Sequence, residues 1–161
     1  DRCFVFLMIL FVIIGLRRLS IPSWHMYAVS WLTLAAISIL ALQSSFAKLA
    51  FYAGAMSAVA AAMCVLQLLK PRETKSIQTI FGVLIVGCSL CGFAYDQNET
   101  TFKLAWLIPM VGVPISAIVY LLLKDHKNGA LISLAIVVLC MATSAILSIL
   151  GSSPAEVGDY F

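Results

Sequence analysis

Six stretches of this chain carry no charged side chain: Cys3–Leu16, Leu19–Ala47, Leu49–Leu69, Ser76–Tyr95, Leu104–Leu123 and Asn128–Ala155. A helix rises about 1.5 Å per residue, so crossing a hydrocarbon layer of roughly 30 Å takes about 20 residues. Five of the runs reach that length. The first holds 14 residues, short for a crossing. In a secretory leader the basic residues precede the apolar run, whereas here Arg17 and Arg18 follow it, so it too reads as a span. The expected fold is an all-α polytopic transmembrane helix bundle, one domain over residues 1–161. Its spans fall at about 3–16, 22–43, 49–69, 77–95, 104–123 and 129–150, joined by short loops.

Composition excludes the soluble alternatives. Hydrophobic residues make up 63% of the chain and charged residues 11%, where a soluble domain has about 45–50% and about 25%. Too few charges remain to cover one water-facing core, so the solvent is lipid, and the short loops leave no room for a nucleic-acid surface. With six spans, the loops on one side hold Arg17, Arg18, Lys70, Arg72, Lys75, Lys124 and Lys127, and the other side holds Arg2, Lys48 and Lys103. The positive-inside rule then places the richer loops in the cytoplasm and both ends of the chain opposite, the expected setting being a bacterial inner (plasma) membrane.

The frame of a lysine, about twenty uncharged residues and a second lysine occurs twice, from Lys48 to Lys70 and from Lys103 to Lys124. Ser20 precedes Lys48 by 28 residues and Ser76 precedes Lys103 by 27, which suggests a parallel two-helix repeat. Span 49–69 is rich in small residues. Ala50, Gly54, Ala58 and Ala62 form one ridge, with Ala53, Ser57 and Ala61 beside it. Small rows let backbones approach closely where lipid supplies no hydrophobic drive, so this helix is expected at the centre of the bundle. Span 104–123 carries Pro109, Gly112 and Pro114 instead, and a buried bend is expected there. Gly54 and Pro109 each follow their lysine by six residues, and matched helix breaks point to a solute path past Pro109, Gly112, Pro114, Ser116 and Tyr120.

Chemistry is sparse. No Asp, Glu, Lys or Arg falls inside an expected span, which argues against a carboxylate-driven pump. His25 stands beside Trp24 and Tyr27, aromatic company of a membrane edge, and His126 lies in a basic loop. Cys88 and Cys91, in "CSLC", have the spacing of thiol oxidoreductases. The pair resembles the intramembrane cysteines of quinone-linked disulfide-forming enzymes such as the vitamin K epoxide reductase family. That resemblance implies a redox role, but the loop cysteines such enzymes use to pass electrons on do not occur in loops 44–47 and 96–102. Asn98-Glu99-Thr100 forms a glycosylation sequon. No catalytic constellation, metal-ligand set or cofactor is expected.

"YAGA" at Tyr52–Ala55, with "LAAIS" at Leu34–Ser38 and Pro22, resembles the third-helix region of the J-type membrane subunit of proton-pumping NADH:quinone oxidoreductases. The likeness covers about thirty residues and implies a membrane subunit of a redox-driven pump. The chain departs from that pattern at Lys48, near the family's acidic position, and in "MSAVAAAM". The function expected from the residues themselves is a non-catalytic integral-membrane subunit. Its partners would be the bilayer and other transmembrane helices, in a larger complex or a homo-oligomer. A small-solute transporter or channel, the J-type subunit and a membrane sensor module of a signalling protein stay open as alternatives.

Overall fold

The computed structural model describes residues 21–71, 75–96, 100–126 and 128–151, and among them it contains helices and turns but no strand. The helices are α1 Ser23–Gln43, α2 Ala47–Leu69, α3 Lys75–Tyr95, the short α4 Thr100–Ala105, α5 Leu107–Leu122 and α6 Gly129–Gly151. Five stretches are long and apolar enough to cross a membrane: Ser23–Gln43, Ala47–Leu69, Ile77–Tyr95, Lys103–Leu122 and Gly129–Leu150. They agree with five expected spans to within two residues at each end, and the other expected span, 3–16, lies outside the described residues. Among the described residues the fold is all-helical, and its five long apolar helices fit a multi-pass integral membrane protein.

α1 and α2 form an antiparallel hairpin closed by a three-residue turn. The Ser45 amide donates to the Leu42 carbonyl at 3.1 Å and the Phe46 amide to the Ala41 carbonyl at 2.8 Å. This bond pair terminates a helix through a left-handed residue, usually glycine. Here the residue is Ser45, with φ 62°, a conformation that costs a side-chain-bearing residue roughly 1–2 kcal/mol.

Three side-chain hydrogen bonds hold the hairpin along its length. Cys64 Sγ donates to the Trp24 carbonyl at 3.4 Å, Ser57 Oγ to the Trp31 carbonyl at 3.1 Å, and Ser38 Oγ to the Ala50 carbonyl at 2.9 Å. The positions step by seven up α1 and by seven down α2, the heptad register of left-handed antiparallel packing. Small buried residues at Ala50, Ala53, Ser57 and Ala60 let the backbones come this close. α6 is pinned to the α4–α5 segment in the same manner, Ser133 Oγ donating to the Ser116 carbonyl of α5 at 2.7 Å and Ser144 Oγ to the Ala105 carbonyl of α4 at 2.8 Å.

The centre of the bundle is α1, which packs against α2, α3, α5 and α6. Within an 18-residue apolar window of each helix, 61% of α1 is buried by protein, against 22% for α2 and 17% for α6. The expectation that the small-residue helix 49–69 is central is therefore corrected. Close approach needs a small ridge only on the side that meets a neighbour, and α2 uses one such side, against α1. Polarity is the better guide. α1 is the least apolar of the five and α6 the most, so the helix carrying Ser30, Thr33 and Ser38 lies where protein satisfies hydroxyls, and the greasiest helix faces lipid.

Candidate functional site

Of the two carboxylates among the described residues, Asp125 is exposed and Asp96 is 3% exposed. Asp96 Oδ2 accepts from Trp106 Nε1 at 2.7 Å and from the Ser44 hydroxyl at 2.9 Å. Those groups come from three segments: the turn after α1, the end of α3 and the junction between α4 and α5. The Asp96 amide bonds to the Gly92 carbonyl at 2.9 Å, so the last turn of α3 aims the carboxylate inward. The Trp106 ring is fully buried, and it lies directly on Gly92, where a β-carbon would run into its six-membered ring. Glycine is thus what admits the indole. Charge-assisted bonds of this length are about twice as strong as neutral ones, and the cluster clasps three helix ends together.

Beside the clasp the chain breaks. The helix resumes at Leu107 with Trp106 as its cap residue, so Pro109 falls in the first turn, where an amide has no intrahelical acceptor to serve. The bend therefore precedes Pro109, and Pro114 alone sits inside α5. Without an amide at residue 109, the Ala105 carbonyl lacks the donor a continuous helix would give it, and the buried Ser144 hydroxyl takes that place. Ser144→Ala is expected to cost about 1 kcal/mol. The cost should shrink in a Pro109→Ala background, where an amide returns. A double-mutant cycle in mixed-micelle unfolding measures both, and equal cost in the two backgrounds would refute the compensation.

A second polar group lies at the other end of α1. The His25 ring packs between Trp24, at 5.8 Å, and Tyr120, at 4.8 Å, while Tyr27 meets Phe81 edge-on at 5.8 Å. His25 is fully buried, and neither ring nitrogen has a hydrogen-bond partner. Gln78 Nε2 is likewise buried without one. The Tyr27–Phe81 and Ser44–Asp96 contacts show α1 and α3 running in the same direction, which sets Gln78, one turn before Phe81, level with Trp24 and His25. His25 is the third residue of its membrane-length stretch, so it stands near the end of the span and is enclosed there by neighbouring helices.

The residues singled out in the sequence distribute as follows. Ala50, Ala53 and Ser57 are buried, Gly54 and Ala61 half-buried, and Ala58 and Ala62 exposed. Pro109, Gly112 and Ser116 are buried, Pro114 and Tyr120 half-buried. A β-carbon at Gly54 would stand 3.2 Å from Ser38 Oγ, and one at Gly112 would stand 3.3 Å from the Met141 methyl. α2, carrying Gly54, and α5, carrying Pro109, each pack on α1 and make no substantial contact with one another, so the two breaks are not brought together. Cys88 is half-buried and Cys91 exposed, both as free thiols. Tyr52 of "YAGA" is 72% exposed. Among the described residues, no group of three His, Cys, Asp or Glu side chains is placed to hold a metal ion.

The clasp residues Ser44, Gly92, Asp96 and Trp106, and Ser144 with them, escaped the sequence reading. Asp96 abuts the polar segment 97–99 and resembles any loop acid. The available signal was the serine content of otherwise apolar helices, since Ser116, Ser133 and Ser144 all bond to backbone carbonyls. No family model, no curated protein and no solved structure matches the chain.

Proposed function

We propose that this protein is a non-catalytic membrane subunit whose α2 packs against transmembrane helices of a partner chain or a second copy. One observation carries the reading: α2 meets its own bundle along one side only. The opposite side presents Ala55, Ala58 and Ala62 at one-turn and two-turn spacing, between the exposed bulk of Phe51, Val59 and Leu66. A low centre with larger side chains around it suits ridge-into-groove docking of another helix in lipid.

Two leucine substitutions separate folding from assembly. Gly54→Leu inserts bulk against Ser38 inside the hairpin and is expected to destabilise the fold by about 1–3 kcal/mol. Ala58→Leu projects from the open side and should leave stability within about 0.5 kcal/mol while abolishing assembly. Sedimentation in detergent read beside unfolding curves distinguishes them. An Ala58→Leu protein that assembles as the parent does would overturn the proposal.

A second reading, a small-solute transporter or channel, is supported by the burial of Asp96 beside the broken α4–α5 segment. Ionisable groups enclosed near helix breaks are characteristic of solute and proton paths. Its test is the Asp96→Asn variant taken up in the Discussion.

A further inference from the structure

Where the N-terminal turn of α2 passes the C-terminal turn of α3, the helices barely touch, and an open groove of about 670 Å³ separates them. It is lined by Ser45, Phe46, Ala47, Lys48, Leu49, Cys91 and Tyr95. Lys48 opens one membrane-length stretch at its second residue and Tyr95 closes another, so the groove straddles the boundary between headgroups and hydrocarbon. Its chemistry is split accordingly. The Lys48 ammonium is exposed and, among the described residues, has no ion-pair partner. The Ser45 hydroxyl is exposed as well, whereas Leu49, Cys91 and the ring of Phe46 form an apolar wall. Asp96, next along the chain from Tyr95, is buried and does not line the groove.

We propose that this groove is a binding site for an anionic phospholipid. The phosphate sits on Lys48 with the Ser45 hydroxyl donating to it, and an acyl chain lies in the cleft between α2 and α3. Charge complementarity selects the occupant. Among the described residues no ion pair neutralises Lys48, and the phosphodiester of a lipid is the anion present there at high local concentration. The same groove provides an apolar seat that a soluble phosphate could not use.

The test uses the full chain in a neutral detergent, titrated with phosphatidylglycerol or phosphatidylcholine and read by native mass spectrometry. One phosphatidylglycerol adduct is expected to persist at about one fifth of the concentration that phosphatidylcholine requires. Lys48→Gln should erase that preference, and Lys103→Gln, at the other boundary lysine and outside the groove, should keep it. Cys91→Trp, which fills the cleft, should weaken both lipids. Equal binding of the two lipids by the parent, an equal loss in the Lys103→Gln protein, or unchanged binding in the Cys91→Trp protein would each overturn the site.

Discussion

Gly92→Ala is expected to lower the unfolding free energy by about 3 kcal/mol, the upper range for a single methyl forced into a packed interior. The added carbon has nowhere to go, because the atoms it meets belong to the fully buried Trp106 ring rather than to the end of a flexible chain. The indole cannot retreat without breaking its 2.7 Å bond to Asp96. α3 cannot retreat either while Asp96 bonds to Ser44 on the far side of the turn. The damage should be specific to that pair: adding Trp106→Leu to Gly92→Ala ought to return part of the loss, giving a coupling above 1 kcal/mol. Reversible unfolding in mixed micelles measures all four corners of the cycle. A Gly92→Ala protein within about 0.5 kcal/mol of the parent would show that the ring adapts freely and that the clasp is soft.

The spans were legible because lipid excludes charge uniformly, so a charge-free run of sufficient length carries the whole signal. Burial within the bundle was less legible, for a reason visible in α2. Small residues at Ala53 and Ala58 look alike in sequence, yet one is enclosed and the other exposed, since neither bears a group that demands protein or lipid. Hydroxyls do make such a demand. Ser57 and Thr33 each sit where a carbonyl accepts from them, Trp31's in one case and Val29's in the other. The enclosure of His25 was not readable from Trp24 and Tyr27, because the cover over the first turn of α1 comes from Tyr120, far along the chain, with Cys64 approaching it. Asp96 was unreadable from its neighbours along the chain, its placement depending on an indole ten residues onward. A buried bend was expected near Pro109, and the break falls at Trp106, which leaves Pro109 in the first turn of α5.

Asp96→Ala should destabilise the protein by about 2–4 kcal/mol, more than removing its hydroxyl partner Ser44. The asymmetry follows from who is left unpaired. The Ser44 hydroxyl lies 2.9 Å from the Leu40 carbonyl as well as from Asp96 Oδ2, so it keeps an acceptor when the carboxylate goes. The Trp106 N–H is enclosed, and losing its acceptor leaves a desolvated donor inside the bundle. Ser44→Ala should thus cost under about 1 kcal/mol. Asp96→Ala made on Trp106→Phe should cost markedly less than on the parent, because the stranded donor is then absent. Asp96→Asn retains a carbonyl oxygen for the indole and should fall between, near about 1 kcal/mol. That variant also separates the two functional readings. If Asp96 is a clasp, its asparagine form assembles with partner helices as the parent does. If Asp96 carries a proton or cation along a path, the asparagine form folds but loses flux in proteoliposomes. Asp96→Ala proving no more costly than Ser44→Ala would remove the clasp itself, since the three helix ends would then be held by apolar packing alone.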